Sequence, residues 1–106
     1  MKTQDTDTTV TELVPRDGRA SFYGKARVVE QDGRKYLVSY GEVMASVDKD
    51  GKVARHSAYR SHTTDRHVKS FLETFGRDVR DGRRFRELPV EGGLEAATTI
   101  RKAAER

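Results

Sequence analysis

The chain has 106 residues, 34% of them hydrophobic and 36% charged, with 21 Lys plus Arg, 17 Asp plus Glu and no Cys. This length corresponds to one small domain and excludes a multidomain enzyme. The lack of cysteine excludes disulfides, thiol nucleophiles and cysteine metal sites. There is no run of about 18 apolar residues and no apolar secretion signal at the N-terminus, so we expect a cytoplasmic protein without membrane contact.

Residues 1–19 form the first segment. They are rich in Thr and Asp, show no apolar periodicity and end at the turn-forming cluster from Pro15 to Gly18. This composition predicts a flexible N-terminal arm. The pattern changes at residue 20, so we assign residues 20–91 to an α+β domain and residues 92–106 to a peripheral C-terminal helix.

Two hairpins are predicted at the start of the domain. Residues 25–30 and 34–40 are β-prone and flank an Asp-Gly turn, which is the strongest short-range hairpin signal in a sequence. A second Asp-Gly pair lies between the alternating run 42–47 and the short run 53–57. Four strands in this order predict an antiparallel meander, and we expect a sheet of three to five strands.

Alternation along the strands predicts which side chains share a face of the sheet. Two sets are expected to do so: Tyr36, Val38 and Tyr40, and Val43, Ala45 and Val47. An apolar face of this kind needs cover, because an open sheet is an aggregation hazard.

Residues 63–75 supply that cover. Apolar side chains recur there at i, i+3, i+4 and i+7, the stripe of an amphipathic helix: Val68, Phe71, Leu72 and Phe75. Either Ser61 or Thr63 is the expected N-cap, and Gly76 lies where a helix stop belongs. The expected fold class is therefore α+β, a small antiparallel sheet covered by one amphipathic helix, plus the peripheral C-terminal helix.

Residues 77–86 are polar and dense in arginine, with Val79 and Phe85 as the apolar anchors. We interpret this segment as a loop or a ragged fifth strand. After a Gly-Gly pair, residues 94–105 carry the weakly apolar face of a helix. Such a helix either docks on the sheet edge with modest energy or orders against a partner.

Several short motifs suggest a relationship to other proteins: Ser-Phe-Tyr-Gly-Lys-Ala at 21–26, Tyr-Leu-Val-Ser-Tyr at 36–40, the run 43–47, Ser-His-Thr-Thr-Asp-Arg-His-Val at 61–68, and Phe-Leu at 71–72. With these motifs the chain resembles an uncharacterised family of small domains from bacteriophages and mobile elements, over roughly residues 20–76. Ala58 and Tyr59 stand where that family usually has a bulky aromatic. The resemblance implies a shared fold and a phage-like context, and it implies no reaction.

The Thr-Thr-Asp-Arg-His block at residues 63–67 is the densest group of polar side chains. In a structural interpretation, Thr64 packs against the core, His67 makes a boundary hydrogen bond and Arg66 is solvated or paired. In a functional one, Arg66 and the helix N-terminus bind a phosphate or a carboxylate. We favour the structural interpretation, because caps and flanking histidines are common at helix starts without function.

Catalytic and metal sites are not indicated by the sequence. His56, His62 and His67 are separated by six and five residues, which places no two of them on one helical face. The serines lack a G-x-S-x-G setting, and neither a phosphate-binding lysine loop nor a dinucleotide-binding glycine motif is present. We therefore expect no catalytic residue, no metal and no cofactor.

Two surfaces are candidates for binding a partner. The first consists of four arginines of one segment, with Arg66 beside them if that segment folds back towards the helix start: Arg80, Arg83, Arg84 and Arg86. Their planar guanidinium groups pair with carboxylates and phosphates alike. The second consists of Tyr36 and Tyr40, which could stack on bases beside neighbouring cations, although core packing is the favoured interpretation for both.

Two functions from different classes fit these observations. The first, which follows from the resemblance and the short length, is a non-enzymatic phage or mobile-element accessory protein in the cytosol of the host cell. It would bind and block a host protein or nucleoprotein, for example as an anti-CRISPR-type inhibitor of a defence effector. The second is a direct nucleic-acid-binding module that uses the arginine-rich loop and the strand tyrosines. The net charge of +4 is mild, and the basic residues are interleaved with acidic ones. The charge therefore does not decide between the two functions.

Overall fold

The computed structural model describes residues 8–16, 18, 22, 24–58, 60–91 and 97–105. Five strands form one antiparallel meander in chain order: β1 Thr8–Glu12, β2 Ala26–Gln31, β3 Arg34–Ser39, β4 Glu42–Val47 and β5 Val53–Arg55. Three helices follow: α1 His62–Phe75, α2 Gly82–Arg86 and α3 Ala97–Ala104. This α+β architecture confirms the fold class expected from the sequence.

The first strand lies within the segment predicted to be a flexible arm. Val10 pairs with Val29 in β2, and the chain beyond β1 stays attached because Leu13 N–H donates to the carbonyl of Ala26 at 3.0 Å. Farther on, the backbone N–H of Arg16 donates to the Ser70 hydroxyl of α1 at 3.0 Å. Residues 8–16 are therefore part of the folded layer, while residues 1–7 of the predicted arm lie outside the described residues.

A β-bulge in β4 changes the predicted faces of the sheet. Leu37 pairs with Ala45 whereas Val38 pairs with Val43, which leaves Met44 as an extra residue in β4. The extra residue brings Met44 and Ala45 to the same side, and it turns Val43 to the opposite one. The prediction that Val43 shares a face with Ala45 and Val47 is therefore wrong.

The first face of the sheet packs against α1. Ser61 is the N-cap, and its hydroxyl accepts a hydrogen bond from Thr64 N–H at 3.0 Å, as predicted for one of the two candidate caps. Phe71 and Leu72 are completely buried against the sheet, and Val68 nearly so. The helix ends at Gly76, where a Cβ would collide with the carbonyl oxygen of Val79, so the glycine is required by this close approach.

The second face of the sheet packs against α3. Ile100 is completely buried there, and Ala103 and Ala104 lie beside it against Val29 and Val38. The predicted C-terminal helix therefore covers a face of the sheet, and most of the side chains that it buries there are small. Residues 92–96, which begin the segment predicted to carry this helix, lie outside the described residues.

Candidate arginine-lined binding site

A cleft of about 380 Å³ lies between α1 and α2. Its walls carry four cationic side chains, two from each helix: Arg66 and Lys69, and Arg83 and Arg86. Asp65, Asp81 and His62 line the same cleft. Within the segment predicted to be a loop or ragged strand, Gly82–Arg86 fold as the short helix α2, which places Arg83 and Arg86 in the same cleft as Arg66.

The position of α2 is fixed by contacts on its inner side. Phe85 is 4% exposed and belongs to the core beneath α1. The Arg55 guanidinium lies 5.8 Å from the centre of the Phe85 ring and donates to the carbonyls of Arg86 and Leu88 at 2.8 and 3.2 Å. Because a buried ring and a capped C-terminal end hold this short helix, its arginines project from a rigid support.

The N-terminal end of α2 is capped by Asp81. One carboxylate oxygen of Asp81 accepts a hydrogen bond from the backbone N–H of Arg84 at 2.8 Å. This cap sets the direction of the first turn, from which the side chain of Arg83 reaches the cleft. A Cβ at Gly82 would lie 3.3 Å from a guanidinium nitrogen of Arg86, a close contact that the flexible arginine side chain can relieve by a small shift.

The opposite wall is the first two turns of α1. Arg66 and Lys69 are three residues apart and therefore adjacent on the helix surface. Asp65 in the first turn forms an ion pair with Arg60 at 3.0 Å. Lys69 and His62 are site residues that the sequence interpretation missed, and the signal for Lys69 was its i, i+3 spacing from Arg66.

The remaining predicted site residues lie elsewhere. Arg80 and Arg84 are exposed but do not line the cleft, and the Arg80 guanidinium donates to the carbonyl of Glu73 at 2.9 Å. Tyr36 is 7% exposed in the second core. Tyr40 follows β3 in a turn and is 54% exposed. The structure therefore separates the tyrosines from the arginine cleft, and it separates Tyr40 from the environment of Tyr36.

A buried polar cluster connects α1 to β3 on the first face. The Ser39 hydroxyl lies 2.8 Å from Nδ1 of His67 and 3.2 Å from the Thr64 hydroxyl. Ser39, Thr64 and His67 are at most 2% exposed. The imidazole packs edge-on against Phe22 at 4.5 Å and is covered by the ring of Tyr40 at 5.6 Å. The prediction of a boundary position for His67 is wrong, because this histidine is inside the core.

The three histidines occupy three different environments. His67 lies on the buried side of α1, His62 lines the arginine cleft, and His56 Nε2 lies 2.8 Å from the Ser46 hydroxyl. Within the part of the chain that the structure describes, no three His, Asp or Glu side chains converge as metal ligands. In that same part, every helix is too short or too polar to cross a membrane.

A family model described as a family of unknown function, DUF8033, matches residues 11–87. The chain belongs to this family. No curated protein and no solved structure matches the chain.

The DUF8033 match includes the whole arginine cleft. It extends from the end of β1 to the residue that caps α2, so both walls of the arginine cleft lie within it. α3 lies beyond it. The cleft therefore belongs to the part of the fold that defines the family, and the family description assigns it no activity.

Proposed function

We propose that this DUF8033 protein is a non-enzymatic accessory protein that binds and blocks a host protein or nucleoprotein, and that the cleft between α1 and α2 is its contact surface. The observation that carries the proposal is the convergence of Arg66, Lys69, Arg83 and Arg86 on one rigid cleft. Arginine suits a charged interface, since its fork pairs with carboxylates and its stem covers apolar surface.

The mixed charge of the cleft favours a protein partner over a bare nucleic acid. Asp65 and Asp81 line it together with the cations. A phosphate backbone would meet these carboxylates with repulsion, whereas a protein surface with both acidic and basic side chains complements both. Direct binding of nucleic acid through this cleft is therefore the second candidate.

The blocking role and the phage or mobile-element context extend the proposal beyond the site. They are supported by the motif resemblance, which covers residues that form β3, β4 and α1. A small domain that carries a charged cleft on a well-packed support is suited to occupying a charged surface of a larger assembly and excluding its natural ligand. A CRISPR effector complex is one nucleoprotein of this kind.

The experiment is capture of a partner by the immobilised chain from a bacterial host lysate, with and without nuclease treatment. Three baits are compared: the unchanged chain, the cleft variant Arg83→Glu with Arg86→Glu, and the matched control Arg80→Glu with Arg84→Glu. Both double variants change the net charge equally and lie on exposed side chains, so thermal stability should stay nearly unchanged in both.

We expect the cleft variant to lose capture by about tenfold or more, through lost attraction and new repulsion, while the control keeps it. Equal capture by all three baits would contradict the role of the cleft. Capture that disappears on nuclease treatment would support the nucleic-acid candidate instead. In that case, binding of the purified chain to random DNA should weaken steeply as salt is raised.

A further inference from the structure

The structure has two turns of the same kind with different residues. The turn between β2 and β3 contains Asp32 at φ +56° and Gly33 at φ +79°, and the turn between β3 and β4 contains Tyr40 at φ +51° and Gly41 at φ +80°. A two-residue hairpin turn with positive φ at both positions prefers Asn or Asp before Gly. A bulky residue in this region is an outlier. Tyr40 therefore occupies a position where a smaller residue would fit the backbone better.

The ring of Tyr40 is fixed in place. Its inner surface stacks on His67 at 5.6 Å, with 29° between the ring planes. The β3–β4 turn is held to the residue just before β2, because Tyr40 N–H donates to the carbonyl of Lys25 at 2.9 Å. Even so, the side chain is 54% exposed, so the packing on His67 leaves much of the aromatic surface open.

The exposed part of Tyr40 lines a second cleft, separate from the arginine cleft. This cleft has a volume of about 320 Å³, and its walls come from the β1–β2 connection, the β3–β4 turn and the end of α3. Its charged residues are Lys25, Arg27, Arg101 and Glu105. The volume lies at the lower end of the range for small-molecule sites, ~300–1,000 Å³, and is suited to one compact ligand.

The cationic side chains of this cleft differ in their contacts. Arg27 donates to the carbonyl of Ala104 and so satisfies the C-terminal end of α3. Lys25 and Arg101 are exposed, and they line the cleft together with Tyr40, Lys25 from the β1–β2 connection and Arg101 from α3. Among the described residues that line this cleft, Glu105 is the single carboxylate beside three cations, so the cleft keeps a positive balance, and Lys25 and Arg101 are the groups placed to meet an anion. Gly24 and Gly41 line the same walls at positive φ, and without side chains they leave the backbone open to a ligand.

We propose that this second cleft binds one unpaired nucleotide, with its base stacked on Tyr40 and its phosphate held by Lys25 and Arg101. An aromatic platform beside cations is how proteins hold unpaired bases, because every base has a face that stacks and every phosphate a charge that pairs. The tyrosine in the strained turn is explained as well, since a turn residue of optimal size would provide no platform. This inference does not depend on the function proposed for the arginine cleft.

The experiment is a fluorescence-anisotropy titration of the full chain with a fluorescein-labelled oligothymidylate, repeated with free thymidine monophosphate as competitor. Tyr40→Asn removes the ring and suits the turn, so it should fold without strain; Tyr40→Phe keeps the ring. We expect Tyr40→Asn to weaken binding by about tenfold or more, and Tyr40→Phe to leave it nearly unchanged. Competition by the free nucleotide distinguishes a mononucleotide site from one that needs a longer strand.

A charge-reversed pair serves as the second readout. Lys25→Glu with Arg101→Glu should weaken binding strongly, while Arg83→Glu with Arg86→Glu, which changes the net charge equally, should leave it intact. The proposal is overturned if the unchanged chain binds neither probe, if a folded Tyr40→Asn variant binds as well as the unchanged chain, or if the arginine-cleft variant loses binding to the same extent. The two double variants also separate the two sites, because each variant should lose one interaction, with the nucleotide or with the captured partner, and keep the other.

Discussion

The two faces of the sheet are covered by helices of different size. On the first face, α1 is 14 residues long and buries Phe71 and Leu72 against Leu37 and Met44. On the second, α3 is eight residues long and presents Ile100 with two alanines. Apolar burial stabilises in proportion to area, so most of the stability should come from the first face.

The same difference separates the two clefts. The arginine cleft is built on α1 and on α2, which is itself anchored in the first core through Phe85. The cleft at Tyr40 has one wall made by the end of α3. A short helix held by few large side chains opens locally more easily than a long, well-packed one. We therefore expect the first face to be the more rigid base for recognition, and α3 on the second face to open more easily.

Phe71→Ala tests the first face and has the largest expected effect on stability. Removing a completely buried ring leaves a cavity and should lower the free energy of unfolding by ~3–5 kcal/mol, a large share of what a small domain possesses. Chemical denaturation followed by circular dichroism measures this change. In a thermal melt, a loss of about 1 kcal/mol lowers the melting temperature of a domain of this size by ~4–8 °C. A melting temperature within a degree or two of that of the unchanged chain would therefore show that the core beneath α1 is misassigned.

Ile100→Ala is the matching test of the second face. Ile100 is also completely buried, yet the helix that carries it is short, so we expect a loss of about 2 kcal/mol, at the low end for such changes. Hydrogen exchange should show faster exchange in α3 while α1 and the central strands stay protected. Equal loss of protection in α1 would mean that the two faces unfold as one unit.

Two serine–histidine pairs allow a finer comparison. Ser39 and His67 are both buried on the first face, whereas His56, the partner of Ser46, is only half-buried. Ser39→Ala should cost about 1–2 kcal/mol, because the imidazole and Thr64 lose a partner where water cannot replace it. Ser46→Ala should cost less, since water can reach His56. Equal unfolding midpoints for the two variants would remove this distinction.

The sequence predicted the elements whose signals are local. The apolar stripe of α1, the Ser61 cap and the Asp32-Gly33 turn are each visible within a few residues. The strand β1 was missed because its pairing with β2 is non-local, and a Thr-rich edge strand has little apolar alternation of its own. The short helix α2 was missed because one buried side chain, Phe85, defines it.

The candidate site was predictable in part for the same reason. Residue type identified the arginines, but only the fold shows that Arg83 and Arg86 face Arg66 across a cleft while Arg80 and Arg84 do not. The shared face of Tyr36 and Tyr40 was wrong because the chain leaves β3 at Ser39 and turns with positive φ at Tyr40. Alternation predicts faces only as far as a strand continues.

Asp48 lies in the β4–β5 turn, outside both helical layers, and gives the smallest expected effect. Its carboxylate accepts hydrogen bonds from the backbone N–H groups of Lys52 and Asp50, at 2.9 Å each. The Lys52 N–H is the largest cause that holds the pKa of Asp48 below its ordinary value of 3.8. Because the folded-state pKa is depressed, the stabilisation is present above pH 3.8 and is lost as the pH falls through the folded pKa.

Asp48→Asn should therefore remove a small part of the acid destabilisation and leave the unfolding midpoint near neutral pH almost unchanged. Thermal melts of the unchanged chain and the variant over a pH series measure how much stability each loses on acidification. A variant that loses as much stability on acidification as the unchanged chain would show that this turn contributes nothing to the pH dependence.

The most direct test of the arginine cleft as the partner surface is arginine-selective labelling of the chain, alone and in complex with its captured partner, read out by mass spectrometry. Arg80, Arg83, Arg84 and Arg86 are all exposed in the described structure, so all four should react in the free chain. In the complex, we expect labelling of Arg83 and Arg86 to fall while Arg80 and Arg84 stay reactive. Protection of Arg80 and Arg84 with continued labelling of Arg83 and Arg86 would contradict the assignment of the cleft.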